Sequence, residues 1–171
     1  MQIIGIDTGK SGAIAIKNKS TTVHKMPETL KLVELLFKGC NAHENTIVFI
    51  EKIVITPRDY RSPQKMNNLL KIKAQYDRMI ALLITMNIRF IEVMPVHWQK
   101  EVGYKSVKGA SYDERKRGLK QLAVELCPSQ KVTLWNCDAL LILYFGLKKC
   151  KFDQTYIWSK IEKDESFKNI F

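Results

Sequence analysis

Glycine and proline are scarce in this chain, eight and five among 171 residues, and neither forms a tract. Collagen-like and low-complexity architectures are thereby excluded. The four cysteines (Cys40, Cys127, Cys137 and Cys150) have no C-x-x-C pair and no zinc-like spacing. They read as reduced, mostly buried thiols, not as a disulfide framework or a structural metal site. The histidines His24, His43 and His97 show no ligand spacing either. No apolar run approaches the roughly 20 residues that cross a bilayer, and the first residues follow a strand pattern and not that of a secretory leader. A cytoplasmic protein is expected. Acid is the other shortage, with 17 Asp and Glu against 28 Lys and Arg, a net charge of +11 and a pI near 9.5. A field of that sign attracts polyanions. The excess concentrates in Lys65 to Lys73 and in Lys100 to Lys120, which points to nucleic acid.

What remains is ordinary globular composition, enough for one well-buried domain, with no solenoid repeat. Short β-branched runs give five strands: Ile3 to Asp7, Ala13 to Ile16, Thr21 to Met26, Thr46 to Ile50, and Arg89 to Val93. TIVFI is apolar throughout, as a central parallel strand should be. Helical patterns cover Pro27 to Gly39, Lys65 to Met86 (Leu69, Ile72, Tyr76, Met79, Ile80 and Leu83 on one stripe) and Val96 to Val102. Ser111 with Glu114 forms a capping-box pattern opening a helix to about Leu126, where Pro128 breaks it. Asn136 to Leu147 is apolar almost all round and reads as a buried helix, ended by Gly146 and Lys148–Lys149. Three strands followed by alternating helices and strands mean an α/β sheet covered on both faces.

Chemistry concentrates at three acids. Asp7 ends an apolar strand and enters the turn Thr8-Gly9-Lys10-Ser11-Gly12, whose glycines admit positive φ and close approach of a ligand. Glu51 ends the TIVFI strand, and Asp138 lies in the first turn of the buried helix. Carboxylates on apolar elements are costly unless paired or bound to a cation. Strand carboxyl ends are also where open α/β sheets place their sites. Three hard oxygen ligands suit Mg²⁺ or Mn²⁺ and hydrolysis of a phosphodiester bond. The plainer alternative is that Asp7 caps its turn, Glu51 pairs with Lys52 or Arg58, and Asp138 complements its helix dipole.

Gly5-Ile6-Asp7-x-Gly9-x-x-Gly12-Ala13, Phe49-Ile50-Glu51 and Asp138-Ala139-Leu140-Leu141-Ile142 resemble the retroviral-integrase/RNase H superfamily. Within it the chain is similar to RuvC-type Holliday junction resolvases, in particular phage forms, which Pro95-x-x-Trp98-x-Lys100 also resembles. The likeness spans residues 1 to about 149, leaving 150–171 as an extension that reads as helical and packed on the domain. It implies an RNase H-like five-stranded mixed sheet with helices on both faces. It also implies a homodimer that cuts four-way or branched DNA with Mg²⁺ (Mn²⁺ in its place), two ions per site, in the host cytoplasm if phage-encoded. Asp7, Glu51 and Asp138 are then both catalytic residues and metal ligands, their oxygens meeting at one point. One ligand departs from that family: the acid or His expected three residues before the helix acid is Trp135, with Asn136 beside it.

For DNA, Tyr60 between Arg58 and Arg61 offers a ring for base stacking and cations for phosphate. Lys105, Lys108, Arg115 and Arg117 are the expected phosphate contacts, their alternative being a solvated helix face. Trp98, Met66, Met79 and Met86 read as core or packing residues. A non-catalytic branched-DNA-binding protein on the same fold is the other functional reading. The turn after Asp7 also looks like the first phosphate loop of actin-like ATPases, but those need a duplicated domain for which this chain is too short.

Overall fold

The segments QIIGID, AIAIK, TTVHK, TIVFIE and RFIEV are short and rich in β-branched residues, which pack well on a pleated surface. Each forms a strand: β1 (Gln2–Asp7), β2 (Ala13–Lys17), β3 (Thr21–Lys25), β4 (Thr46–Glu51) and β5 (Arg89–Val93). The computed structural model describes residues 1–9, 11–27, 29, 33, 46–57, 60 and 62–152. The helix expected over Pro27 to Gly39 therefore falls largely outside the described residues, although Val33 is helical and buried. Cys40, His43, Arg58, Arg61 and the chain beyond Phe152 lie outside them as well.

The five strands join in the order β3-β2-β1-β4-β5. The first three form an antiparallel meander, and β1, β4 and β5 run parallel. Parallel neighbours need a crossover, and α1 (Pro63–Thr85) supplies it between β4 and β5. Then come α2 (Pro95–Glu101), α3 (Tyr112–Leu126) and α4 (Cys137–Phe152). Successive strand residues face opposite sides, so two cores form. Ile4, Ile6, Ile14, Val48 and Ile50 meet Tyr76, Met79 and Leu83 of α1 on one face. Ile3, Ala13, Ala15, Ile47 and Phe49 meet α4, Trp98 of α2, and Leu119 and Ala123 of α3 on the other. This is the RNase H-like mixed sheet with helices on both faces.

Helix starts follow local chemistry. Pro95 opens α2, where its missing N–H costs nothing. The capping box at Ser111 is formed: Ser111 Oγ accepts from the Glu114 N–H at 3.3 Å, and the Ser111 N–H donates to Glu114 Oε2 at 2.7 Å. Gly146 does not end α4, which continues to Phe152. A Cβ there would stand 2.5 Å from the Phe49 ring, so this glycine lets the helix lie close to the sheet. Of the glycines in the turn after Asp7, Gly12 likewise acts through size. Among the described residues the positive-φ glycines are Gly103 and Gly109, whereas a Cβ on Gly12 would collide with the Asp7 carbonyl.

Helix and sheet come closest at Gly5. A Cβ there would stand 2.5 Å from the Ala139 carbonyl oxygen and would also strike the backbone nitrogen of Leu143. Gly5→Ala should therefore cost about 3 kcal/mol by forcing two backbones apart. Gly103→Ala, at φ +91° with open space around it, should cost about 1 kcal/mol through backbone strain alone. Urea unfolding of both variants checks this, and equal losses would contradict the close approach.

Candidate active site

Alternation along the strands decides where the acids point. Asp7 shares parity with Ile3 and Gly5, and Glu51 with Ile47 and Phe49, so both belong to the face that α4 covers. They also stand side by side in register, each one residue beyond the paired Ile6 and Ile50. Asp138 lies in the first turn of α4, and the contact of α4 with Gly5 brings that end of the helix over the carboxyl end of β1.

The charge of Asp138 acts on both Asp7 and Glu51, and that of Asp7 acts on Glu51. Burial first, and Asp138 after it, holds the Asp7 carboxyl above its ordinary range, against the Gly9 hydrogen bond and Lys116. Asp7 Oδ1 accepts that bond from the Gly9 N–H at 3.1 Å, so Asp7 does cap its turn as well. Glu51 is pushed up to about 8, by burial first and then by Asp7 and Asp138, with Lys116 and Trp98 opposing. Lys52 is not its partner: the Lys52 ammonium pairs with Glu92 at 3.4 Å.

Lys116 is not among the residues expected here. Its ammonium contacts Asp138 Oδ2, and the two side chains are only 18% and 14% exposed. Burial disfavours the charged amine, but Asp138 more than offsets this and holds Lys116 protonated above its ordinary range. A sequence signal exists, since Lys116 lies three and seven residues before the buried Leu119 and Ala123, on the inward stripe of α3. Asp138 Oδ1 in turn accepts from the Cys137 thiol at 3.3 Å, and burial, then Asp138, pushes that thiol up to about 12. Trp98 is fully buried core, as expected. Among the described residues its indole N–H has no partner at hydrogen-bond distance, and it bears on Glu51.

Asn136 is no substitute ligand. Its Oδ1 accepts from the Thr133 N–H at 2.7 Å and its Nδ2 donates to the Lys131 carbonyl at 3.0 Å, so both ends latch the loop before α4. Trp135 packs against the core. Among the described residues no three His, Cys, Asp or Glu side chains form a group that closes around a metal ion. The expected meeting of oxygens at one point is thus not seen, and one oxygen of Asp138 is taken by Lys116. The donors nevertheless fit a hard divalent cation in kind and charge, with three carboxylates set against one ammonium.

The expected DNA contacts that fall among the described residues are all exposed. Tyr60 is 67% exposed. Lys105 and Lys108 are exposed and line an open cleft of about 430 Å³ with Tyr104, Val107 and Glu114. Arg115 and Arg117 are exposed on α3, the guanidinium of Arg115 lying 5.7 Å from the Tyr112 ring centre.

Glu51 generates a test in the metal-free protein. The folded chain holds its proton more tightly than the unfolded chain does. Its contribution is therefore fully present below about pH 4.5 and is lost as pH rises through about 8. Glu51→Gln, which cannot ionise, should stabilise the protein by more than about 1 kcal/mol near pH 9 and change little near pH 4. Denaturation midpoints with chelator present measure this, and a pH-independent difference would contradict the coupling.

No family model matches the chain, and no curated protein matches it. Among solved structures it is similar to Thermus thermophilus RuvC in complex with a Holliday junction substrate, at 11% identity and a TM-score of 0.48, over 90% of this chain and 96% of that one. It is also similar to T. thermophilus RuvC alone, at 12% identity and a TM-score of 0.49, over 88% and 96% of the two chains.

Proposed function

We propose that the chain is a divalent-metal-dependent endodeoxyribonuclease that cuts branched DNA, Holliday junctions foremost, as a homodimer. The observation that carries this reading is the placing of Asp7 and Glu51 side by side at the carboxyl ends of β1 and β4, with Asp138 in the first turn of the helix over them, on an RNase H-like sheet. So many buried negative charges are hard to explain as packing, because uncompensated carboxylates cost stability.

Asp7, Glu51 and Asp138 would hold Mg²⁺ or Mn²⁺. The bound cation supplies Lewis-acid stabilisation of charge on a phosphodiester undergoing in-line hydrolysis. The protein orients the acids: Gly9 fixes Asp7, Cys137 and Lys116 fix Asp138, and Trp98 bears on Glu51. Lys105, Lys108, Arg115 and Arg117 offer phosphate contacts that give affinity for any duplex. Tyr60 offers a ring to an unstacked base at the branch point. Paired cuts in a two-fold symmetric junction call for two sites related by a two-fold axis. The α1 helix, with Leu70 48% and Ile84 42% exposed, has apolar surface to spare for such pairing.

A labelled four-way junction incubated with Mg²⁺ tests the reading. The wild-type chain should cut it, and Asp7→Asn should abolish cutting by at least about a hundredfold while leaving junction affinity within a few-fold. Binding without any cutting by the wild-type chain would favour the non-catalytic junction binder.

A further inference from the structure

We propose that the cleft between the 103–110 loop and α3 is a subsite for one unpaired nucleotide of single-stranded DNA, its phosphate on Lys105 and Lys108 and its base against the Tyr104 ring. The inference rests on the DNA-binding part of the reading above, not on cutting, and adds to it a place for an unstacked base.

The cleft, about 430 Å³ and open to solvent, is lined by Tyr104, Lys105, Val107, Lys108, Ala110 and Glu114. Its loop is shaped before anything binds. Gly103 and Gly109 bracket it at φ +91° and +84°. The Tyr104 N–H donates to the Gln99 carbonyl at 2.9 Å, and the Ala110 N–H to that of Val107 at 3.2 Å. The Tyr104 hydroxyl donates to the Arg115 carbonyl at 3.3 Å, which ties the ring to α3. Gly118 makes room for that ring, since a Cβ there would stand 3.1 Å from Tyr104 Cε2. Glycine is otherwise a poor residue for a helix interior, and the ring accounts for it here.

Charge and apolar surface together select the occupant. Lys105 and Lys108 are exposed, and among the described residues neither is in an ion pair. The one acid of the cleft is engaged elsewhere: Glu114 Oε2 accepts from both the N–H and the hydroxyl of Ser111 at 2.7 Å. A phosphate alone needs only the cations. Val107, 70% exposed, and Ala110 add an apolar wall beside the aromatic ring, which suits the face of a base. Bases stacked in an intact duplex present only their edges, so an unpaired nucleotide is the form that fits. Glu114 and Gly118 are one turn apart on one face of α3, and Lys116, two residues from each, is on another. The subsite is therefore distinct from the acid cluster that Lys116 meets.

Nuclear magnetic resonance of the full chain in chelator, titrated with an oligothymidylate of about six nucleotides, tests this without any cutting. The amides of residues 104–110 and of Gly118 should shift first, and inorganic phosphate should not reproduce the shifts of Val107 and Ala110. Tyr104→Leu should weaken the oligothymidylate about tenfold, or 1.4 kcal/mol, and leave affinity for a blunt duplex within about twofold. Lys108→Ala should weaken both. Shifts centred elsewhere, or the same shifts with inorganic phosphate, would overturn the inference. So would an unchanged oligothymidylate affinity, or equal losses on both DNAs, in Tyr104→Leu. A chain that binds neither oligothymidylate nor a four-way junction would overturn the DNA-binding function itself. If Tyr104→Leu fails to fold, the wild-type shifts still decide.

Discussion

The contact between α4 and the backbone of β1 at Gly5 is the constraint on which the rest depends. With no side chain at position 5, the Ala139 carbonyl and the Leu143 backbone come down onto the strand itself, closer than any Cβ permits. Gly146 repeats the device farther along the helix, under Phe49. A helix seated so low fixes the height of its first turn relative to the strand ends, and Asp138 is in that turn. Strand parity does the rest by turning Asp7 and Glu51 toward the same side. The acid cluster is therefore a consequence of close packing between two apolar elements, one of them a helix buried on nearly every side.

That geometry sets charge against burial. Asp7 and Glu51 are both raised by desolvation before anything else, Asp7 further by Asp138 and Glu51 further by Asp7 and Asp138. One hydrogen bond to Asp7, one ammonium at Asp138 and one indole near Glu51 oppose this without cancelling it. A site in that condition favours a cation, and a net charge of +11 favours a polyanion, the two demands of the function proposed above. Lys105, Lys108, Arg115 and Arg117 are exposed to solvent, whereas Lys116 of α3 turns inward onto Asp138.

Much of this is legible in the amino-acid sequence. β-branched runs, the capping box and the apolar helix around Asp138 place the elements, and the acids at the ends of such runs mark the site. Less legible are features that depend on contact. Gly146 reads as a helix stop in a sequence, because only the neighbouring Phe49 reveals it as a packing notch. Gly12 reads as a conformational glycine, and only the Asp7 carbonyl beside it shows that size is what matters there. Lys116 is one charge in a run of them, and only the phase of Leu119 and Ala123 singles it out. Trp98 is recognisable as core, but not as a neighbour of Glu51.

The central claim is that β1, β4 and α4 contribute one acid each to a common cation site. Paramagnetic broadening of backbone amide signals by substoichiometric Mn²⁺ tests it most directly, because broadening reports proximity to the ion whatever the activity. The account predicts that the amides flanking Asp7, Glu51 and Asp138 broaden together, at the same Mn²⁺ concentration and ahead of all others. Broadening centred instead on the exposed acids Asp113 and Glu114 of α3, or reaching only one of the three elements, would contradict it.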